Sequence, residues 1–173
     1  MKVFGITGSS GSGKTTLMVK LLPELIRRGL EVSTMKHTHH RFDLDSEGKD
    51  SYEHRKAGAT EVMISSSNRW ALMHELRGAP ELDMDELIAQ MNPVDLLLIE
   101  GFKSHRYEKL EVFRLANGKP LRCRDDKDVI AVTCDTPLED LNVPVIDLND
   151  VAAIADFIVG RCGLEGSLKH GAA

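Results

Sequence analysis

The sequence lacks most features that would assign a chain to a membrane, to nucleic acid or to an oxidising compartment. It contains no run of about 20 consecutive apolar residues, so no transmembrane helix is expected. The 22 Lys and Arg residues are outnumbered by 27 Asp and Glu residues, and a net charge of -5 argues against a nucleic-acid or anionic-membrane surface as the main partner. The first eight residues turn glycine-rich too early for a signal peptide. Cysteine is scarce, since only Cys123, Cys134 and Cys162 occur and none forms a C-x-x-C pair, so we expect free thiols in the cytoplasm.

Strand-like and helix-like segments alternate along the chain. Residues 2–7 form an apolar run ahead of a glycine cluster. Residues 95–99 form a run that is unbroken and apolar after Asp95, which is typical of a buried parallel strand. The apolar positions from Leu17 to Ile26 have helical spacing, although Pro23 should kink or end that helix. The alternation predicts an α/β fold of three layers with a mainly parallel sheet. Further strands are predicted at 31–36, 129–133 and 144–148, and helix caps at Asp50, Asp83 and Asn149.

Two segments interrupt this alternation with hairpin-like patterns. Residues 61–66 and 69–76 are joined by Ser67-Asn68, and residues 109–115 precede the turn signal Asn117-Gly118. We therefore predict hairpin insertions near 61–76 and 105–122, at one edge of the sheet or as a small lobe. With 173 residues and 42% hydrophobic content, the chain fits one domain over residues 1–162, followed by a disordered tail over 163–173.

The glycine cluster matches the phosphate-binding pattern G-x-x-x-x-G-K-[ST] in full. Glycines allow the positive-φ turns that aim backbone N–H groups at phosphates, and the following helix presents its N-terminus to the same anion. Lys14 supplies a mobile positive charge for the β- and γ-phosphates, the Thr15 hydroxyl is placed to ligate Mg²⁺, and Thr16 can reach the α-phosphate. The sequence therefore predicts a P-loop fold in which the nucleotide phosphates are held by Gly8, Ser9, Ser10, Gly11, Ser12, Gly13, Lys14, Thr15 and Thr16.

Two further segments should reach the same edge of the sheet. Glu100 ends the apolar run 95–99, where a P-loop protein needs an acidic group to organise Mg²⁺ and water. Lys36 and His37 follow the second predicted strand and begin a cluster that includes His39 and His40. This cluster favours contact with phosphate or a partner ligand, but a solvated loop and a metal site remain open alternatives.

Several other acidic residues are weaker candidates. Asp43, Asp45 or Asp50 could approach Mg²⁺ through water, or could be ordinary surface acids. No N-K-x-D guanine-reading string is present. Asp135, after the predicted strand 129–133, could accept hydrogen bonds from a guanine edge, although the sequence favours a simple turn acid before Pro137.

The assembled motifs resemble the molybdopterin-guanine dinucleotide biosynthesis protein B family, known as MobB. The resemblance extends from the start of the chain to about residue 160. It rests on the phosphate loop, on Lys36-His37-Thr38-His39-His40 leading to Gly48-Lys49-Asp50-Ser51, on Arg55-Lys56-Ala57-Gly58-Ala59, on Arg69-Trp70-Ala71-Leu72-Met73, and on Glu100-Gly101-Phe102-Lys103.

The resemblance implies a homodimer that binds GTP and Mg²⁺ and hydrolyses GTP weakly. Such a protein assists a molybdopterin guanylyltransferase, which joins GMP to the pterin of the molybdenum cofactor, and works among the other molybdenum cofactor enzymes. Glu100 and Asp50 would then lie near the γ-phosphate. We expect Trp70, Leu72 and Met73 to lie in the dimer interface, because a small lobe could hardly bury them alone.

Two other functions use the same loop. A small-molecule kinase would need an acceptor pocket and usually an arginine-rich lid, whereas Arg41, Arg55 and Arg69 are scattered along the sequence. A metallochaperone GTPase would use the cluster of His37, His39 and His40.

Overall fold

The structure, a computed structural model, describes residues 1–38, 42–101 and 106–167. The chain divides into two compact units, the first formed by Met1–His37 and Asn92–Ala173 and the second by Thr38–Met91. The single domain expected over residues 1–162 stays a prediction.

The first unit is built on a six-stranded sheet in which every neighbouring pair is parallel. The strands are β1 (Lys2–Thr7), β2 (Val32–Lys36), β5 (Leu96–Glu100), β6 (Lys109–Phe113), β7 (Val129–Cys134) and β8 (Val145–Asp147). Their order in the sheet is β2-β5-β1-β6-β7-β8. The predicted α/β fold with a mainly parallel sheet is therefore confirmed.

Two helices of this unit, α1 (Lys14–Arg27) and α4 (Val151–Cys162), pack against each other and share the main core cluster with the sheet. Of the predicted apolar stripe of α1, Leu17, Met18, Leu21 and Leu25 are buried, whereas Ile26 is exposed. The helix continues through Pro23 instead of ending there. Gly29 follows the helix with φ 89°, and its N–H donates to the carbonyl of Ile26 at 2.8 Å. This left-handed ending is the one predicted for a glycine just past a helix.

The predicted hairpin near 105–122 is wrong. Residues 109–113 form β6, which lies parallel between β1 and β7 inside the main sheet. Asn117-Gly118 closes a 3₁₀ turn over Leu115–Asn117 and joins no antiparallel strands. The prediction failed because Lys109 and Glu111 alternate with apolar residues, a pattern that indicates solvent-facing side chains, whereas both residues are buried.

The second unit contains the hairpin that was predicted near 61–76. Its strands β3 (Glu61–Ser65) and β4 (Trp70–His74) pair antiparallel and form a separate two-stranded sheet. Two short helices accompany it, α2 (Asp50–Lys56) and α3 (Met84–Ala89). The predicted capping box at Asp83 is confirmed, because the Asp83 carboxylate accepts the backbone N–H of Glu86 and the Glu86 carboxylate accepts the backbone N–H of Asp83. The one predicted at Asp50 is wrong, since Lys49 is the N-cap and makes no side-chain capping bond.

The C-terminal segment is ordered beyond the predicted boundary. Asp150, one residue after the predicted Asn149, caps α4 by accepting the N–H of Ala153 at 2.9 Å. Leu164 is buried and Glu165–Ser167 forms a 3₁₀ turn, so the predicted disordered tail begins too early. Its last six residues, 168–173, lie outside the described part of the chain.

The structure also bears on the membrane and thiol predictions. Within the described ranges, no helix is long and apolar enough to cross a bilayer. Cys123, Cys134 and Cys162 are free thiols, as predicted. Burial raises the pKa of Cys162, which favours an unreactive thiol.

Candidate functional site

The predicted phosphate loop connects β1 to α1, and its geometry requires glycine at its first position. Gly8 has φ 141°, and a Cβ placed there would lie 2.3 Å from the carbonyl oxygen of Val112 on β6. No side chain can be accommodated so close to a backbone oxygen. The loop ends at Gly13, which caps α1 with a left-handed backbone and no side chain of its own. The N-terminus of a regular 14-residue helix therefore starts directly at the loop, as a phosphate site requires.

Two polar side chains of the loop, those of Lys14 and Ser12, suit the binding of an anion. The ammonium of Lys14 donates to the carbonyls of Gly8 and Ser9, at 3.0 and 2.9 Å, so it lies over the start of the loop. The Ser12 side chain is buried, and its hydroxyl oxygen has no hydrogen-bond partner among the described residues. A buried hydroxyl without a partner is costly, and it suits a place where a polar ligand completes the bonding. Thr15 and Thr16 are exposed in the first turn of α1.

Glu100 lies at the carboxyl end of β5, next to the strand that leads into the loop. In register it pairs with Ile6 of β1 and with Lys36 of β2, and its carbonyl accepts the N–H of His37 at 2.9 Å. Gly101 follows with φ 104°, and a Cβ there would lie 2.7 Å from the carbonyl oxygen of His37. Because the strands are parallel, the backbones of Lys36, His37 and Glu100 meet at the same sheet edge as the phosphate loop.

An arginine that the sequence analysis overlooked borders the other end of the loop. The Nε of Arg114, just after β6, donates to the carbonyl of Ser12 at 3.2 Å and lies 3.5 Å from the Cβ position of Gly13. Its guanidinium also forms a salt bridge with Asp135, which follows β7. The candidate guanine-reading residue is therefore linked to the phosphate loop through one side chain.

Asp135 also lines a cleft of about 380 Å³ at the carboxyl ends of β7 and β8. A second carboxylate, Asp147 at the end of β8, lines the same cleft, and the sequence analysis did not single it out. The cleft has the size of a small-ligand site and lies at the end of the strands where α/β proteins bind ligands.

The remaining acidic candidates belong to the second unit, and two of them have an internal partner. The Arg55 guanidinium pairs with Asp45 at 2.6 Å, Asp43 at 2.9 Å and Glu75 at 3.0 Å. The hydrogen bond from Arg55 lowers the pKa of Asp45, which keeps this carboxylate ionised in the pair. Asp43 and Asp45 thus fasten α2 to the segment before it. Asp50 is exposed at the first position of α2.

The histidine cluster is described only in part. His37 is half-buried, whereas His39 and His40 lie outside the described residues. Over 1–38, 42–101 and 106–167, no three His, Cys, Asp or Glu side chains are grouped so that they could hold a metal ion.

Comparison with known proteins agrees with the resemblance that the motifs carry. A sequence model of the family described as "Molybdopterin guanine dinucleotide synthesis protein B" (MobB) matches residues 3–135. A molybdopterin-guanine dinucleotide biosynthesis adapter protein from Escherichia coli K12 is 48% identical over 153 residues, which cover 87% of each chain. Its namesake from Haemophilus influenzae is 43% identical over 156 residues, which cover 90% of this chain and 86% of that protein.

A solved structure shares the fold. The crystal structure of molybdopterin-guanine biosynthesis protein B is 27% identical and superposes with a TM-score of 0.74 over 93% of this chain and 99% of its own. The match confirms a P-loop NTPase-like α/β fold. The family match and the two bacterial relatives each cover more than two thirds of this chain, and the chain therefore belongs to the MobB family.

Proposed function

We propose that this protein is a GTP-binding adapter in molybdopterin guanine dinucleotide biosynthesis, working in the cytoplasm with a molybdopterin guanylyltransferase and other molybdenum cofactor enzymes. The observation that carries the proposal is the complete phosphate loop at the carboxyl edge of a parallel sheet, in a chain whose bacterial relatives are named as adapter proteins of that synthesis.

The loop residues have distinct roles in this proposal. Lys14 holds the β- and γ-phosphates, and the start of α1 faces the same negative charge. Thr15 and Glu100 supply the oxygen ligands that Mg²⁺ prefers, and the ion would neutralise phosphate charge. Asp50 joins Glu100 near the γ-phosphate, a role that rests on the family resemblance.

Guanine would lie in the cleft that contains Asp135. A carboxylate can accept two hydrogen bonds from the edge of guanine, whereas adenine offers no matching pair of donors. Base binding would then compete with Arg114 for Asp135, because both donate to the same carboxylate. Guanine selection is thereby coupled to the Ser12 end of the phosphate loop.

Hydrolysis should be slow in the isolated protein. Rapid hydrolysis needs a cation that neutralises charge on the γ-phosphate, and a positioned arginine contributes about 10³–10⁵ in rate. The position of Lys14 supports a γ-phosphate at the Gly8–Ser9 end of the loop, whereas Arg114 contacts Ser12 and is paired with Asp135. The arginine therefore stands at the opposite end of the loop, so bound GTP would persist.

The hairpin of the second unit is proposed as the homodimer interface. One face of β3–β4 carries Met63, Leu72 and Trp70, which are 62%, 43% and 63% exposed. Met73, predicted to share this interface, is buried on the opposite face beside Val62. A two-stranded sheet with an exposed apolar face is marginal alone and gains stability from a second copy.

The nucleotide proposal is tested by titrating a fluorescent GTP analogue into the wild-type protein and the Lys14→Ala variant. Loss of a charge-assisted contact to phosphate costs about 1.5–3 kcal/mol, so the affinity should fall roughly tenfold or more while the fold is retained. Lys20→Ala, an exposed lysine farther along α1, is the matched control and should leave the affinity unchanged.

Competition with unlabelled nucleotides then tests the base. ATP should displace the label more weakly than GTP, and Asp135→Asn should narrow that difference. Equal affinities of wild type and Lys14→Ala would contradict the phosphate assignment. Equal displacement by ATP and GTP would contradict guanine selection while leaving the phosphate loop intact.

A further inference from the structure

A second cleft, of about 1020 Å³, lies beside the phosphate loop in the first unit, and apart from Ser9 its lining residues have no role in the nucleotide site described above. Ser9 of the loop forms part of its lining. The rest comes from Arg106 and from residues 119–122 and 125–128 of the segment that follows β6.

The position of Ser9 determines which end of the nucleotide the cleft meets. The ammonium of Lys14, whose partners in a P-loop are the β- and γ-phosphates, contacts the carbonyls of Gly8 and Ser9. The cleft therefore opens at the γ-phosphate end of the loop, and this orientation rests on the function proposed above. A molecule in the cleft would be a neighbour of the terminal phosphate.

Two buried charges of β6 hold the wall of this cleft in place. The Glu111 carboxylate accepts the N–H of Arg122 at 2.9 Å and that of Cys123 at 3.0 Å. The Lys109 ammonium donates to Asp126 at 3.1 Å and lies 3.9 Å from Asp128. Buried charges are tolerated only when they are paired and hydrogen-bonded, and here the partners of both belong to the cleft segment. The wall is thus a built structure.

The lining carries an excess of positive charge. Four cationic side chains, Arg106, Lys119, Arg122 and Lys127, line the cleft with three aspartates, and two of those aspartates face the buried Lys109. In addition, the Nε of Arg122 is buried and has no hydrogen-bond acceptor within the part of the chain that the structure describes. A buried guanidinium N–H without an acceptor is rare in proteins, and an anionic ligand bound to this guanidinium would supply one.

We propose that this cleft binds a phosphomonoester of a small organic molecule beside the terminal phosphate of the nucleotide. Arginine with lysine is the combination that recognises phosphate oxygens, the arginine through its planar fork and the lysines as point charges. The volume exceeds that of a lone phosphate and lies at the upper end of the range of small-molecule sites, which leaves room for the organic part.

The test uses ¹⁵N-labelled protein saturated with a non-hydrolysable GTP analogue and Mg²⁺, so that the phosphate loop is occupied. Glycerol 3-phosphate is the probe, inorganic phosphate and glycerol are the comparators, and the amide signals of Arg122 and Cys123 report on the cleft. We expect saturable shifts with glycerol 3-phosphate and none with glycerol. Arg122→Gln should weaken binding about tenfold or more.

A second set of variants tests the proposal independently, in case Arg122→Gln does not fold. Lys119→Gln combined with Lys127→Gln removes two exposed charges from the cleft and should also weaken binding about tenfold. Lys2→Gln combined with Lys20→Gln removes the same charge from exposed lysines outside the cleft and should have no effect. An equal loss in this control pair would overturn the proposal, because binding would then be non-specific attraction.

Three further outcomes would overturn either the cleft proposal or the nucleotide assignment. Absence of glycerol 3-phosphate binding, or binding of inorganic phosphate alone, overturns the phosphomonoester site. Failure of the GTP analogue to bind refutes the nucleotide assignment instead. In that case glycerol 3-phosphate is titrated, without nucleotide, into Lys14→Ala and into the same variant with Arg122→Gln added. Weaker binding after Arg122→Gln still supports the cleft, whereas unchanged binding overturns the proposal.

Discussion

Strand β5 and hairpin β3–β4 have similar apolar content and opposite surroundings. The four apolar residues of β5, Leu96 to Ile99, are each 0% exposed. In the hairpin, Trp70 is 63% exposed and Met63 is 62% exposed. Strand β5 has a parallel neighbour on either side, whereas β3 and β4, among the residues that the structure describes, pair only with each other. The comparison shows that the first unit buries the apolar residues of β5, whereas the hairpin keeps apolar residues exposed on one face, the face that we propose as the homodimer interface.

The first prediction compares the same substitution, leucine to alanine, in β5 and in the hairpin. Leu98→Ala should lower the free energy of unfolding by about 2–5 kcal/mol, the cost of deleting a buried leucine side chain, at any protein concentration. Leu72→Ala should cost little in dilute protein and more at concentrations where chains associate, because association stabilises the folded state by mass action. Urea unfolding at several protein concentrations measures both. A Leu72→Ala loss as large as that of Leu98→Ala in dilute protein would mean that one chain alone buries this leucine.

The second prediction places a charge on the exposed face. Trp70→Glu should raise the dimer dissociation constant about tenfold or more, because a carboxylate without a partner is costly in an apolar interface. Sedimentation velocity measures the shift toward monomer. Leu115→Glu, which alters a 64% exposed leucine of the first unit, is the matched control and should leave the association unchanged. A wild-type protein that sediments as a monomer at micromolar concentration would contradict the interface.

The parts of the fold that the sequence predicts are those determined by local patterns. The phosphate loop is predicted from its glycines and Lys14, and β5 from its apolar run. The hairpin β3–β4 is predicted from two β-rich runs joined by a short turn. In the hairpin turn, Ser66 donates its N–H to the carbonyl of Arg69, and its hydroxyl accepts the N–H of Asn68. The residues of the turn and the pairing of the strands therefore favour the same structure.

The parallel placement of β6 in the main sheet could not be predicted, because its decisive contacts are distant in sequence. Lys109 and Glu111 alternate with apolar residues, which is the pattern of a strand with one face in water. Both are buried because residues 122–128 supply their hydrogen bonds. Arg114 was missed for the same reason, since Ser12, whose carbonyl it contacts, lies 102 positions away. Local patterns carry no information about such partners.

The most direct test of the account is the guanylylation of molybdopterin by a purified guanylyltransferase, measured with and without this protein. We predict that the wild-type protein stimulates the reaction, that Lys14→Ala does not, and that Lys20→Ala stimulates as the wild type does. Alone, the protein should hydrolyse GTP far more slowly than the ~10 s⁻¹ of a typical enzyme. A transferase that is indifferent to the protein, or that responds equally to Lys14→Ala, would contradict the account.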